Sequence, residues 1–327
     1  MGRNRGAGTV DMKSHLIAVS QALFVVFLWA TSWVLIKIGL HQIPPLVFAG
    51  LRYTLAFGCL LVAFLFSRAR IKFSSIPKKI FFRLILLGVL FYAATQGASF
   101  VALAYLPAVT VNLLWSFSSV IVALLGITWL SEKPGALQWG GIILAILGAC
   151  IYFYPVTINQ AQWIGVFVAV GGILANAISS ILGREINRSA KYHPLLVTLV
   201  SMGFGSIVLL STGVLLEGIP SIDLKGWAII AWLAMINTAF AFTLWNHTLH
   251  TLTATESSII NGSMLIWIPI LAVLFLGESL NVKEVVGLVV AGLGTLVVQF
   301  RRFPFNLTGK PARREDINPA NGRSSLQ

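Results

Sequence analysis

Polar and aromatic side chains recur at helical spacing inside long apolar stretches of this chain, where each one is expensive to keep. Tyr92, Gln96 and Ser99 fall at i, i+4 and i+7, one face of a helix. Asn112, Trp115, Ser116 and Ser119 share a second face, and Asn176, Ser179 and Ser180 a third beside Gly172 and Gly183. Asn237 and Thr248 make a fourth, with Trp245 at its edge. Ser257, Ser258 and Asn261 form a fifth, and Trp29, Ser32 and Trp33 a sixth. Such faces turn toward protein or a water-filled cavity, because hydrocarbon offers polar groups no partner. Two uses compete. Hydrogen bonds between helices, each worth roughly 0.6 kcal/mol, account for any single Ser or Thr. Aromatic walls carrying a few fixed polar groups instead suit a small amphipathic ligand.

The charges within or beside these stretches are few. Arg52 lies about eight residues into an apolar run and needs a partner; a structural role is expected, with a substrate carboxylate as the competing reading. Glu132 and Glu278 each close an apolar run and are read as structural, orienting the segment that follows. Glu256 stands three residues after Thr253, the spacing of a capping box, and a carboxylate there also offers a site for proton coupling. His247 and His250 share a helical spacing but have no third ligand nearby, so no metal is expected. Cys59 and Cys150 both fall in apolar runs and read as buried thiols. Neither a convergent catalytic cluster nor a phosphate-binding glycine loop is present, so no enzyme activity and no cofactor is expected.

The elements that position these residues follow from composition. Of 327 residues, 57% are hydrophobic and 10% charged, with a mean hydropathy of +0.88. Soluble domains carry about 25% charged residues, so this chain cannot make a polar surface over its length. Apolar runs near the length that crosses a bilayer recur from Leu16 to Phe300. Ten are read, at 15–36, 45–66, 81–104, 107–130, 136–154, 162–183, 194–216, 226–248, 254–276 and 282–300. Residues 1–14 and 301–327 are polar tails, and Met12 reads as a natural start.

The net charge of +13 lies mostly in short segments between the runs. With the N-terminus inside, nineteen Lys and Arg collect on the inner side against Lys37, Lys225 and Lys283 outside. Both termini are therefore placed in the cytoplasm by the positive-inside rule, and nucleic-acid binding is not expected.

A shift of 146 residues aligns Leu103–Ile151 with Leu249–Val297 without a gap, bringing Glu132 onto Glu278, Gly141 onto Gly287, Ala145 onto Ala291 and Gly148 onto Gly294. Five helices are an odd number, so the second copy (162–300) must sit upside down relative to the first (15–154). Inverted repeats are a transporter device, with the site between them near the midplane. The small-residue ladders Gly141-Ala145-Ala149 and Gly287-Ala291-Thr295 allow close helix approach, within a monomer by default or at a homodimer seam.

At these residues a resemblance appears. The glutamate and spaced glycines that follow an apolar helix in each copy, FLWATSWVLIKIGL ahead of Pro44-Pro45, and Arg52 resemble the EamA domain of the drug/metabolite transporter superfamily. The second copy keeps a helix proline, Pro269, where the first has Ala123. The resemblance implies a ten-helix, all-α membrane basket around a central cavity lined by helices 1, 3, 4, 6, 8 and 9, which carry the polar faces above. It also implies rocking of the two halves and export of amino acids or related metabolites across the cytoplasmic (inner) membrane. A nucleotide-sugar or phosphate-ester carrier of the same superfamily would want several cavity-facing cations, and only Arg52 and Lys37 offer themselves. A channel and a membrane-embedded enzyme are the alternatives of another class.

Overall fold

The computed structural model describes residues 12–66, 77–129, 135–155, 159–188 and 194–299. Glu132 and most of both tails lie outside them. Among the described residues there is no strand; ten helices are long and apolar enough to cross a membrane. They are α1 (Ser14–Gly39), α2 (Pro45–Phe66), α3 (Lys78–Tyr105), α4 (Ala108–Gly126) and α5 (Ala136–Phe153), then α6 (Gln160–Ile186), α7 (Leu195–Glu217), α8 (Leu224–Thr248), α9 (Glu256–Leu276) and α10 (Val282–Gln299). The residues that start them explain their ends. Pro45 opens α2, where a missing N–H costs nothing. Asp223 caps α8 by accepting from the Gly226 N–H at 2.7 Å. Reciprocal side-chain and backbone bonds join Asn159 to Gln162 ahead of α6 and Asn281 to Glu284 ahead of α10.

Successive helices cross in alternate directions, so Met12 and Gln299 share one face, called here the termini face. Large apolar side chains such as Phe66, Phe82, Phe167 and Leu274 point outward and supply the lipid-facing surface.

The two repeats are related helix by helix. α5 packs along α10, and the contacts are reciprocal: Gly148 lies against the backbone of Ala291, and Gly294 against that of Ala145. A β-carbon at either glycine would overlap that backbone. The small-residue ladders are therefore spent on each other, inside the chain. Wider π-helical turns interrupt α3 at Val89–Thr95 and α8 at Met235–Phe240, starting 146 residues apart. Thr95 and Thr238 each donate to a carbonyl five residues back, satisfying the widened turn. α4 and α9 break at Phe117 and Ser263, again 146 residues apart. At the break in α9 the Ser263 hydroxyl bonds back to the carbonyl of Ile260, and Pro269 lies further along, inside the unbroken segment Met264–Leu276. α4 breaks in the same place with Ala123 at the matching position. There Ser116 and Ser119 bond back to the carbonyls of Leu113 and Ser116, a local alternative to the helical ladder.

Candidate substrate cavity

The breaks in α4 and α9 face each other across a cavity of about 690 Å³. Trp33 of α1 and Trp115 of α4 meet edge to face at 6.4 Å and wall its deep end. Asn112 donates from Nδ2 to the carbonyl of Met264 at 3.4 Å, tying the broken stretch of α4 to that of α9. Asn176 of α6 donates to the Ser118 hydroxyl at 2.8 Å. Ser116, Ser180 and Asn261 complete the interior. Toward the termini face the lining passes to Gln138, Arg184, Ser258, Thr295 and Gln299. These come from the ends of α5, α6, α9 and α10 on that face, so the cavity opens there. No carboxylate lines it among the described residues.

The sequence-expected residues divide in two. Trp33, Asn112, Trp115, Ser116, Asn176, Ser180 and Asn261 are brought together at this cavity. Trp29, Tyr92, Gln96, Ser99, Asn237 and Trp245 are not. Trp29 and Trp245 pack on each other at 5.2 Å, with Phe242 against Trp29 at 5.3 Å. Tyr92 is buried against Phe91 and against Tyr53 of α2. Ser99 is buried and Gln96 half-buried in the body of α3. Asn237 is fully buried and donates to the carbonyl of Leu28 and to Thr31, fastening α8 to α1. α3 and α8 contribute no lining side chain, although their sequences carry polar faces.

Sequence reasoning missed Gln138, Arg184 and Gln299. Gln138 sits near the start of α5 and Gln299 ends α10, helices read only for their small-residue ladders. Gln138 is 4% exposed, donates to the Val298 carbonyl at 3.4 Å, and leaves its side-chain oxygen without a partner. Arg184 was counted only as a charge of the inner side.

On the opposite face, which the lining of this cavity does not reach, charged groups tie the helix ends together. Lys37, near the end of α1, donates from Nζ to the carbonyls of Leu103 and Leu106 at 2.6 and 2.7 Å, where α3 ends. Glu278 accepts from the N–H groups of Ala108 and Val109 at 2.6 and 3.1 Å, where α4 begins. Gly277 makes this possible by ending α9 in the left-handed region, φ 66°, so the chain turns back onto α4. Glu217, ending α7, accepts from the first N–H groups of α2 in the same way.

Arg52 is 5% exposed. Its Nε donates to Thr238 at 3.1 Å, and its guanidinium lies 5.2 Å from the Tyr53 ring centroid and 6.0 Å from that of Phe100. It thus joins α2 to the π-helical turn of α8. Glu256 makes the capping box with Thr253 and also pairs with His15 at 2.9 Å. His247 and His250 are exposed with ring centroids 6.5 Å apart, and no group of three metal-ligating side chains occurs among the described residues. Cys59 is half-buried, while Cys150 is exposed on the lipid-facing surface, where the sequence suggested a buried thiol.

The sequence profile of the EamA-like transporter family matches residues 16–154 and again 158–300, one copy on each repeat. The chain belongs to the EamA-like transporter family. It is therefore a transporter of small molecules and not an enzyme. Among its relatives, a "Probable amino-acid metabolite efflux pump" of Salmonella typhimurium is 28% identical over 302 residues, covering 86% of this chain and 94% of that protein. An "Uncharacterized inner membrane transporter YedA" of Escherichia coli is 26% identical, over 89% of this chain and 94% of that protein. A solved crystal structure superposes with a TM-score of 0.61 at 15% identity, covering 86% of this transporter and 97% of that chain. That likeness bears on the fold alone.

Proposed function

We propose that this transporter exports amino acids or closely related metabolites across the cytoplasmic membrane by alternating access, and that its cavity here faces the cytoplasm. The observation that carries the reading is the 690 Å³ cavity between the repeats. Its size lies within the range of sites for small molecules, and both repeats supply its walls. Trp33 and Trp115 offer aromatic surface to an apolar side chain, while Asn112, Asn176 and Asn261 offer amides to a polar backbone. Arg184 is the one cation of the described lining; it can pair with a carboxylate, and the several cations wanted by a phosphate-ester carrier are not present among the described lining residues. The Salmonella typhimurium relative named as a "Probable amino-acid metabolite efflux pump" supports the cargo.

The orientation rests on the Lys and Arg asymmetry, which puts both termini, and with them the cavity mouth, on the inner side. Glu256 serves as the cap of α9; coupling to protons is the second reading, favoured by its contact with His15 across the α1–α9 contact.

Asn112, Trp115 and Asn261 changed singly to Ala test the cavity. Each variant that purifies as a monodisperse protein loses about tenfold or more in uptake by reconstituted vesicles, since about 1.4 kcal/mol of lost binding is a factor of ten. Wild-type rates in all three would remove the cavity from the transport path.

A further inference from the structure

Lys37 and Glu278 do more at the opposite face than end two helices. They grip both sides of one corner, the turn joining α3 to α4. Lys37 holds the carbonyls that end α3, and Glu278 holds the N–H groups that begin α4. The two Lys37 bonds fix α1 to that corner within the first repeat, and the two Glu278 bonds join the same corner to the second repeat, so the α3–α4 corner is held from both halves.

The inverted repeat supplies a counterpart on the open side. The carbonyls of Leu103 and Leu106 correspond, 146 residues on, to those of Leu249 and Leu252, where α8 ends. Lys37 corresponds to Arg184, 147 residues on, at the matching end of α6. Yet the two cations differ in this structure. Lys37 is bonded into its corner. Arg184 is exposed on the cavity rim and makes no hydrogen bond or ion pair with the described residues. The lysine part of the device is thus made on one face and its arginine counterpart is not made on the other, among the described residues; Glu132, the match to Glu278, lies outside them.

We propose that Lys37 and Arg184 are the paired latches of the transport cycle. Lys37, with Glu278 beside it, holds the α3–α4 corner against α1 while the cavity opens toward the termini. Arg184 makes the matching bonds to the α8–α9 corner when the cavity opens the other way. Breaking one set and making the other keeps the two open states close in energy, as an exchange between them requires. This rests on the alternating-access reading above and adds to it the residues that hold each state.

The test places Ser116→Cys in the cavity of a protein carrying Cys59→Ala and Cys150→Ala. A membrane-impermeant maleimide is applied to right-side-out and to inside-out vesicles, and the ratio of labelling rates is read. The parent labels faster from the termini face. Lys37→Met shifts the ratio toward the opposite face by about tenfold, the shift that losing about 1.4 kcal/mol from one state produces. Lys37→Arg keeps the donors and stays near the parent. Arg184→Gln shifts the ratio the other way, and added to Lys37→Met it draws the ratio back. A merely structural loss at either position has no reason to move the ratio in opposite directions. An unchanged ratio in monodisperse Lys37→Met, or a shift of the same sign in both variants, overturns the latches. Labelling of the parent from neither face overturns the cavity reading itself.

Discussion

Trp115 and Tyr92 illustrate how far residue type and spacing carry. Both are aromatic, both sit beside amide or hydroxyl neighbours at helical spacing, and only Trp115 reaches the cavity. Tyr92 lies in a π-helical turn, which rotates the residues around it away from the face an ideal helix would give them. Asn237 is displaced in the same way within α8 and holds α1 instead. Position in the fold decides such cases, and the one-face spacing of a straight helix does not contain it. Glu256 is the opposite case, because its capping box was legible as Thr-Ala-Thr-Glu and stands in the structure with both reciprocal bonds. Gln at the same position still completes a capping box. Glu256→Gln is therefore expected to fold and to keep whatever dependence on a pH gradient the parent shows in vesicles. Loss of that dependence with transport intact would assign Glu256 to proton coupling.

At the scale of elements, the ten helices and the reciprocal packing of α5 on α10 were legible because hydropathy and small-residue spacing are local properties of the chain. The break in α4 was not, since Ala123 carries no sign of it and the bend is made by serine hydroxyls. The α5–α10 contact gives a direct prediction. A β-carbon at Gly148 overlaps the backbone of Ala291, whereas one at Gly140 meets nothing within 4 Å. Gly148→Ala should lower the midpoint of thermal unfolding in detergent markedly, the helices having to move apart at a cost of about 1–3 kcal/mol. Gly140→Ala should leave it unchanged or raise it slightly, by the gain in helix propensity. Equal midpoints for the two variants would mean that the helices do not approach as closely as described.

For the molecule as a whole, the inverted repeat joins sequence to function. It places two broken helices face to face, opens a cavity to one side, and leaves charged groups tying helix ends together on the other. The lining ends of α5 and α10 escaped the sequence reading because nothing local marks which end of a packing helix borders a void. Alternating access between the repeats is the central claim, and counterflow tests it most directly. Purified protein in liposomes preloaded with unlabelled amino acids should take up labelled amino acid at a saturable rate. That uptake should be faster than in unloaded liposomes and abolished when Trp115 and Asn261 are both changed to Ala. Uptake that rises linearly with concentration and ignores the internal load would contradict it, and would make the protein a channel.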